Sequence, residues 1–146
     1  MKTLSNKSVL IIDDDARMLR ALDKVLAGEG CSVITASWAG DALDILSERK
    51  QPIDLVITDL RMPFVTGITV VNAIHKMLPD LPVMVLTAFG SPDVKAECFR
   101  QGALAVLEKP LDSTELLAAI EQTMAAHEPG TETTVTNGCA AKEVSP

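Results

Sequence analysis

Aromatic residues are scarce in this chain: three phenylalanines, one tryptophan and no tyrosine among 146 residues. A core must therefore be assembled from Leu, Ile, Val, Ala and Met, and apolar residues, at 47%, are plentiful enough to build one. Cysteine is equally sparse. Cys31, Cys98 and Cys139 are odd in number, far apart, and fit neither a CxxC pair nor a zinc spacing. That excludes a disulfide framework and leaves ordinary thiols in a reducing compartment. Positive charge is in deficit, with 13 Lys and Arg against 20 Asp and Glu and a net charge of −7. Such a balance argues against direct nucleic-acid binding and against docking on anionic membranes. No apolar run approaches the ~20 residues that span a bilayer. The N-terminus lacks the apolar stretch and small-residue cleavage site of a secretory signal. These absences predict a cytoplasmic protein.

What is present is an alternation of short apolar runs with segments of helical period. Val9 to Ile12, Ser32 to Ala36, Asp54 to Thr58, Pro82 to Leu86 and Leu104 to Leu107 read as strands. Between them, Met18, Leu19, Leu22, Val25 and Leu26 share one helical face, closed by Gly28 and Gly30. Asp41 to Ser47 is a short helix, with the lone Trp38 expected to pack near it. Gly67 starts a helix with Ile68, Val71, Ile74 and Leu78 inward, stopped by Pro79. Ser91-Pro92-Asp93 is a strong helix start. Asp112 with Glu115 resembles a capping box ahead of Leu116, Ile120 and Met124. Five β/α repeats predict an α/β fold, a doubly wound five-stranded parallel sheet with helices on both faces. The second strand is the most polar and belongs at an edge. The expected domain covers residues 1–126. Residues 127–146, rich in Thr, Glu, Pro, Gly and Ala, read as a flexible tail or truncated linker.

Right-handed crossovers bring every strand's C-terminal end to one edge, where open α/β sheets bind their ligands. At those ends stand Asp13-Asp14-Asp15, Asp59, Thr87 and Lys109-Pro110. In a flavodoxin-like order, 2-1-3-4-5, the first and third strands are neighbours. Two carboxylates 4 Å apart repel by roughly 4 kcal/mol at an effective dielectric near 20. A cluster of them must take up protons or a cation, and hard oxygen ligands suit Mg2+ or Mn2+. A hydroxyl and an ammonium beside a carboxylate nucleophile complete the parts that phosphoryl transfer requires. Asp15, directly before the first helix, reads as its cap. A turn residue is the plain alternative for Asp59. His75 and His127 read as solvated side chains rather than a catalytic base or metal ligands.

The segments VLIIDDD, DLVITDLRMP, VMVLTA and LEKP resemble the receiver domain of bacterial two-component response regulators, over about Lys7 to Ala126. The resemblance implies Asp59 as phosphoacceptor and Mg2+ bound by Asp13, Asp14, Asp59 and the backbone carbonyl of Arg61. It implies Thr87, the Ala88 N–H and Lys109 as phosphate contacts, and a cis Lys109–Pro110 bond. Thr87 and position 106 would be the switch pair. Val106 stands where the family usually carries Phe or Tyr, and valine cannot make that aromatic's inward rotation. Phe89, two residues after Thr87, is placed to shield the site from attacking water. The implied partner is a sensor histidine kinase, with acetyl phosphate as a small substitute donor. Output would go to an effector domain or protein, or to a homodimer.

Two other readings compete. Asp13-Asp14-Asp15 contains the D-x-D of haloacid-dehalogenase-type phosphohydrolases, with VMVLT and Lys109 mimicking later motifs. Those enzymes place Thr or Val where Arg17 stands, and Asp59 would have no role in one. A degenerate receiver, used only for phosphorylation-independent binding, is the other. The intact acids, Thr87 and Lys109 argue against it. The chain is thus expected to be a signalling domain, not an enzyme beyond its own phosphorylation and dephosphorylation.

Overall fold

In the computed structural model, residues 4–61, 66–88, 90–110 and 112–127 are described. Five strands alternate with five helices: β1 Ser8–Ile12, α1 Ala16–Gly28, β2 Ser32–Ala36, α2 Ala39–Glu48, β3 Leu55–Thr58, α3 Gly67–Met77, β4 Val83–Thr87, α4 Pro92–Arg100, β5 Ala105–Glu108 and α5 Ser113–His127. All strand pairs are parallel, in the order β2-β1-β3-β4-β5. The fold class and strand order are those expected from the sequence. Phe89, Cys139 and the segment beyond His127 lie outside the described residues.

Strand periodicity divides the core in two. Val9, Ile11, Leu55, Ile57, Met84, Leu86 and Leu107 pack with Leu22 and Leu26 of α1 and Leu116, Ala119 and Ile120 of α5. Their alternate neighbours Leu10, Ile12, Val56, Val83, Val85 and Val106 face the other way, onto α2, α3 and α4. Every residue of β3 and β4 is buried, as central strands covered on both faces require. β2, at the sheet edge, is the exposed strand. Truncating Leu10, fully buried in β1, removes apolar contacts in the core half packed on α2, α3 and α4 and leaves a cavity. Leu10→Ala is expected to lower unfolding stability by about 2–5 kcal/mol in urea titration.

Side chains fix the helix starts that position the loops. Asp15 caps α1, accepting from the Arg17 and Met18 N–H groups at 2.9 and 3.4 Å. Ser91 accepts from Val94 N–H at 3.3 Å, with Pro92 at the first helical position. Asp112 and Glu115 exchange reciprocal bonds of 2.8 and 3.2 Å. Thr66 caps α3 through the Thr69 N–H at 3.3 Å. Cys31 and Cys98 are buried free thiols, and the Cys31 Sγ donates to Leu4 O at 3.4 Å. Burial, helped by the Glu97 charge, pushes the Cys98 thiol up to about 11, so it stays protonated. His75 is exposed on α3. No helix among the described residues is long and apolar enough to cross a membrane.

Candidate phosphoryl-transfer site

The parallel ladder continues one residue past several strands, and this aligns the polar side chains. Ile12 is in register with both Ala36 and Thr58. The next residues extend the pattern: Asp13 N–H donates to Ala36 O at 3.1 Å, and Asp59 N–H to Ile12 O at 3.0 Å. On the other side, Lys109 N–H donates to Thr87 O at 2.7 Å. Backbone pairing therefore puts Asp13, Asp59, Thr87 and Lys109 along one edge before any side-chain preference acts.

Side chains then converge. One carboxylate oxygen from each of Asp13, Asp14 and Asp59 lies within 4.8 Å of the others. Lys109 Nζ is 3.3 Å from Asp13 Oδ2 and 3.5 Å from Asp59 Oδ1. The Asp13, Asp59 and Lys109 side chains are only 5%, 12% and 18% exposed, whereas Asp14 opens to solvent. Thr87 is wholly buried at the end of β4, and Ala88 beyond it is exposed. Arg61 is exposed on the loop after β3. The Lys109–Pro110 bond is cis. Val106 is buried on the α2–α4 side of the sheet, in register with Val85.

Electrostatics follow from this packing. Burial pushes the Asp13 carboxyl above its ordinary value, and the Asp59 charge adds to the effect. The Asp15 N–H, bonded to Asp13 Oδ1 at 2.9 Å, and the Lys109 ammonium oppose that shift without cancelling it. The Lys109 ammonium is shared between two of the three clustered carboxylates. The all-oxygen donor set, part buried and part open to water, fits a hard divalent cation.

Gly67 is a site residue that its motif does not announce. A Cβ at Gly67 would lie 2.2 Å from Asp59 O and 2.6 Å from Leu60 Cα. Its N–H also donates to Leu60 O at 2.8 Å. The start of α3 thus rests directly on the backbone that carries Asp59, and only glycine permits that approach. A glycine at a helix start, eight residues after an acid, was the available signal.

Comparison with known proteins bears on this arrangement. The family described as response regulator receiver domain matches residues 9–121. The transcriptional regulatory protein GlrR of Escherichia coli is 39% identical over 125 residues, covering 85% of this chain and 28% of that protein. This chain spans about a quarter of the length of the curated relatives it matches. A receiver domain protein from Clostridium thermocellum has 33% identity and a TM-score of 0.75, over 81% of this chain and 94% of that one. The beryllofluoride-activated NtrC4 receiver domain dimer has 28% identity and a TM-score of 0.76, over 83% and 98%. With its sheet order, its strand-end acids and lysine, and a family match across most of its length, the chain belongs to the response regulator receiver domains, the phosphoacceptor signalling modules of two-component systems.

Proposed function

We propose that Asp59 is the phosphoacceptor and that the donor is a phosphohistidine on a sensor kinase. The observation that carries this is the Lys109 ammonium, held between Asp13 and Asp59 at 3.3 and 3.5 Å. A carboxylate oxygen of Asp59 attacks phosphorus, the P–N bond of the donor breaks, and the leaving imidazole takes up a proton. Lys109, the Thr87 hydroxyl and the Ala88 N–H bind the equatorial phosphoryl oxygens. Asp13, Asp14, Asp59 and the Arg61 carbonyl would hold Mg2+ or Mn2+. When bound, that ion supplies positive charge against the phosphoryl oxygens.

Read-out passes through Thr87 and the segment between β4 and α4. Val106 has no ring to swing, so the usual aromatic contribution at that position is missing. The domain promotes its own phosphorylation and dephosphorylation and acts otherwise as a switch that shifts between two populations. A separate effector domain or protein, or a homodimer, would carry the output. The net charge of −7 leaves any nucleic-acid contact to that other part. A phosphohydrolase reading would leave Asp59 idle, yet its carboxylate sits inside the cluster.

Incubation with acetyl phosphate and Mg2+, followed by intact-mass measurement, tests the chemistry. A gain of one phosphoryl group is expected, absent in Asp59→Asn. A wild-type chain that gains nothing overturns the proposal. Turnover of p-nitrophenyl phosphate surviving in Asp59→Asn would return the hydrolase reading.

A further inference from the structure

Among the described residues, Trp38 is the one large apolar side chain left open, at 56% exposure. It stands two residues past the end of β2. The strand beside β2 is β1, whose end carries Asp13, and the Asp13 N–H bonds Ala36 O at 3.1 Å. Residue 38 therefore stands at the same sheet edge as the acidic cluster.

Its local role in folding is slight. Trp38 occupies the N-cap position of α2 and forms no side-chain cap bond, where Ser, Thr, Asp or Asn would have stabilised the helix. Its ring instead lies over Gly40. A Cβ at Gly40 would be 2.3 Å from Trp38 Cη2 and 2.4 Å from Cζ3. Glycine near a helix start weakens the helix relative to alanine. Here its lack of a side chain makes a niche that seats the indole while leaving most of it to water. An aromatic ordered in advance and still exposed loses little freedom when a partner covers it, and such residues dominate binding at interfaces.

The fold decides which partner that is. Helices cover both faces of the sheet, so a donor can reach Asp59 only over the edge that carries the strand-end loops. A protein donor must lie across those loops, and the β2–α2 loop presents Trp38. We propose that Trp38 is a docking contact for the protein that delivers phosphoryl groups to Asp59. This rests on the reading of Asp59 as phosphoacceptor. Asp41, three residues on, and Asp14 and Asp15, just past the end of the neighbouring strand β1, are exposed, so the matching surface would be an apolar recess with basic or polar groups around it.

The test compares two donors on one protein. The probes are acetyl phosphate and the autophosphorylated cytoplasmic portion of each histidine kinase encoded in the source genome. Trp38→Ala is expected to slow transfer from the kinase that serves wild type by about tenfold or more at limiting donor, with the loss in KM. Labelling by acetyl phosphate should be unchanged. Gly40→Ala keeps the indole, evicts it from its niche and favours the helix, so a slowed kinase transfer in that variant cannot be blamed on unfolding. Equal rates with the kinase, or an equal fall with both donors, overturn the docking role. So does a wild-type chain that takes phosphoryl groups from acetyl phosphate but from no kinase. Self-association that disappears in Trp38→Ala would assign the indole to a second copy instead. Failure of wild type with every donor would sink the phosphoacceptor reading itself.

Discussion

Lys109→Met is expected to slow labelling of Asp59 by acetyl phosphate by about a hundredfold or more. Methionine keeps the apolar stem and its packing while deleting the ammonium. Asp59 stays chemically intact, so the loss isolates the positive charge. That charge lies 3.5 Å from the Asp59 carboxylate and is only 18% exposed, so water screens it poorly. It offsets the charge repulsion between nucleophile and phosphoryl group, and it must do so in the transition state to matter for rate. The same substitution should weaken the fold without divalent ions by about 1–3 kcal/mol, because Asp13 loses its 3.3 Å partner while remaining buried. Urea titration with and without Mg2+ separates the two effects. Added Mg2+ should recover much of the stability and little of the rate. Labelling within about threefold of wild type would remove Lys109 from the chemistry.

The site was legible in the sequence because it is a property of strand ends. Parallel register brings them to one edge however long the intervening helices are. Lys109 and Asp13 are 96 residues apart, and neither residue alone signals the other. Both follow strand ends on that edge, Asp13 after β1 and Lys109 after β5. Strand limits were displaced by one residue where the first polar or special residue belongs to the loop. Asp54 precedes β3, and its carboxylate accepts the Ser8 N–H at 2.8 Å. Pro82, with no N–H to give, precedes β4. The second helix begins at Ala39, before the expected Asp41, because its start carries no capping signal.

What stayed hidden depends on packing between elements. Val70 is buried in α3, though it lies off the apolar stripe read from the sequence. Thr123 is buried where α5 packs on the sheet, and its hydroxyl, donating to Ala119 O one turn back at 2.8 Å, is satisfied there. Asn72 of α3 donates to Gln101 just after α4 at 2.6 Å, a tie between elements that no local pattern encodes. Trp38 does meet the second helix, through Gly40, but the expectation of packing did not foresee an open ring.

Asp13→Asn is expected to stabilise the metal-free protein at neutral pH by about 0.5–2 kcal/mol while nearly abolishing its stabilisation by Mg2+. Asparagine retains an oxygen for the Asp15 N–H, which Asp13 accepts at 2.9 Å. Lys109 keeps Asp59 as a partner at 3.5 Å. What disappears is a buried negative charge, and with it the repulsion from Asp59. The pH dependence has a fixed sign. Burial raises the Asp13 carboxyl above its ordinary value in the folded state, so folding favours the protonated form. The penalty is fully present above the folded value and is relieved as pH falls through it. The advantage of Asp13→Asn over wild type should therefore be largest near neutrality and shrink on acidification. Divalent ions reverse the ranking, since at a hundred times its Kd an ion adds about 2.7 kcal/mol to a chain that binds it only when folded. Thermal melts of both proteins across pH, with and without Mg2+, would show these curves crossing. A variant less stable than wild type without metal would mean that the Lys109 pairing outweighs the burial of Asp13. The acidic cluster would then be a structural ion pair, with no stored charge for a cation to relieve.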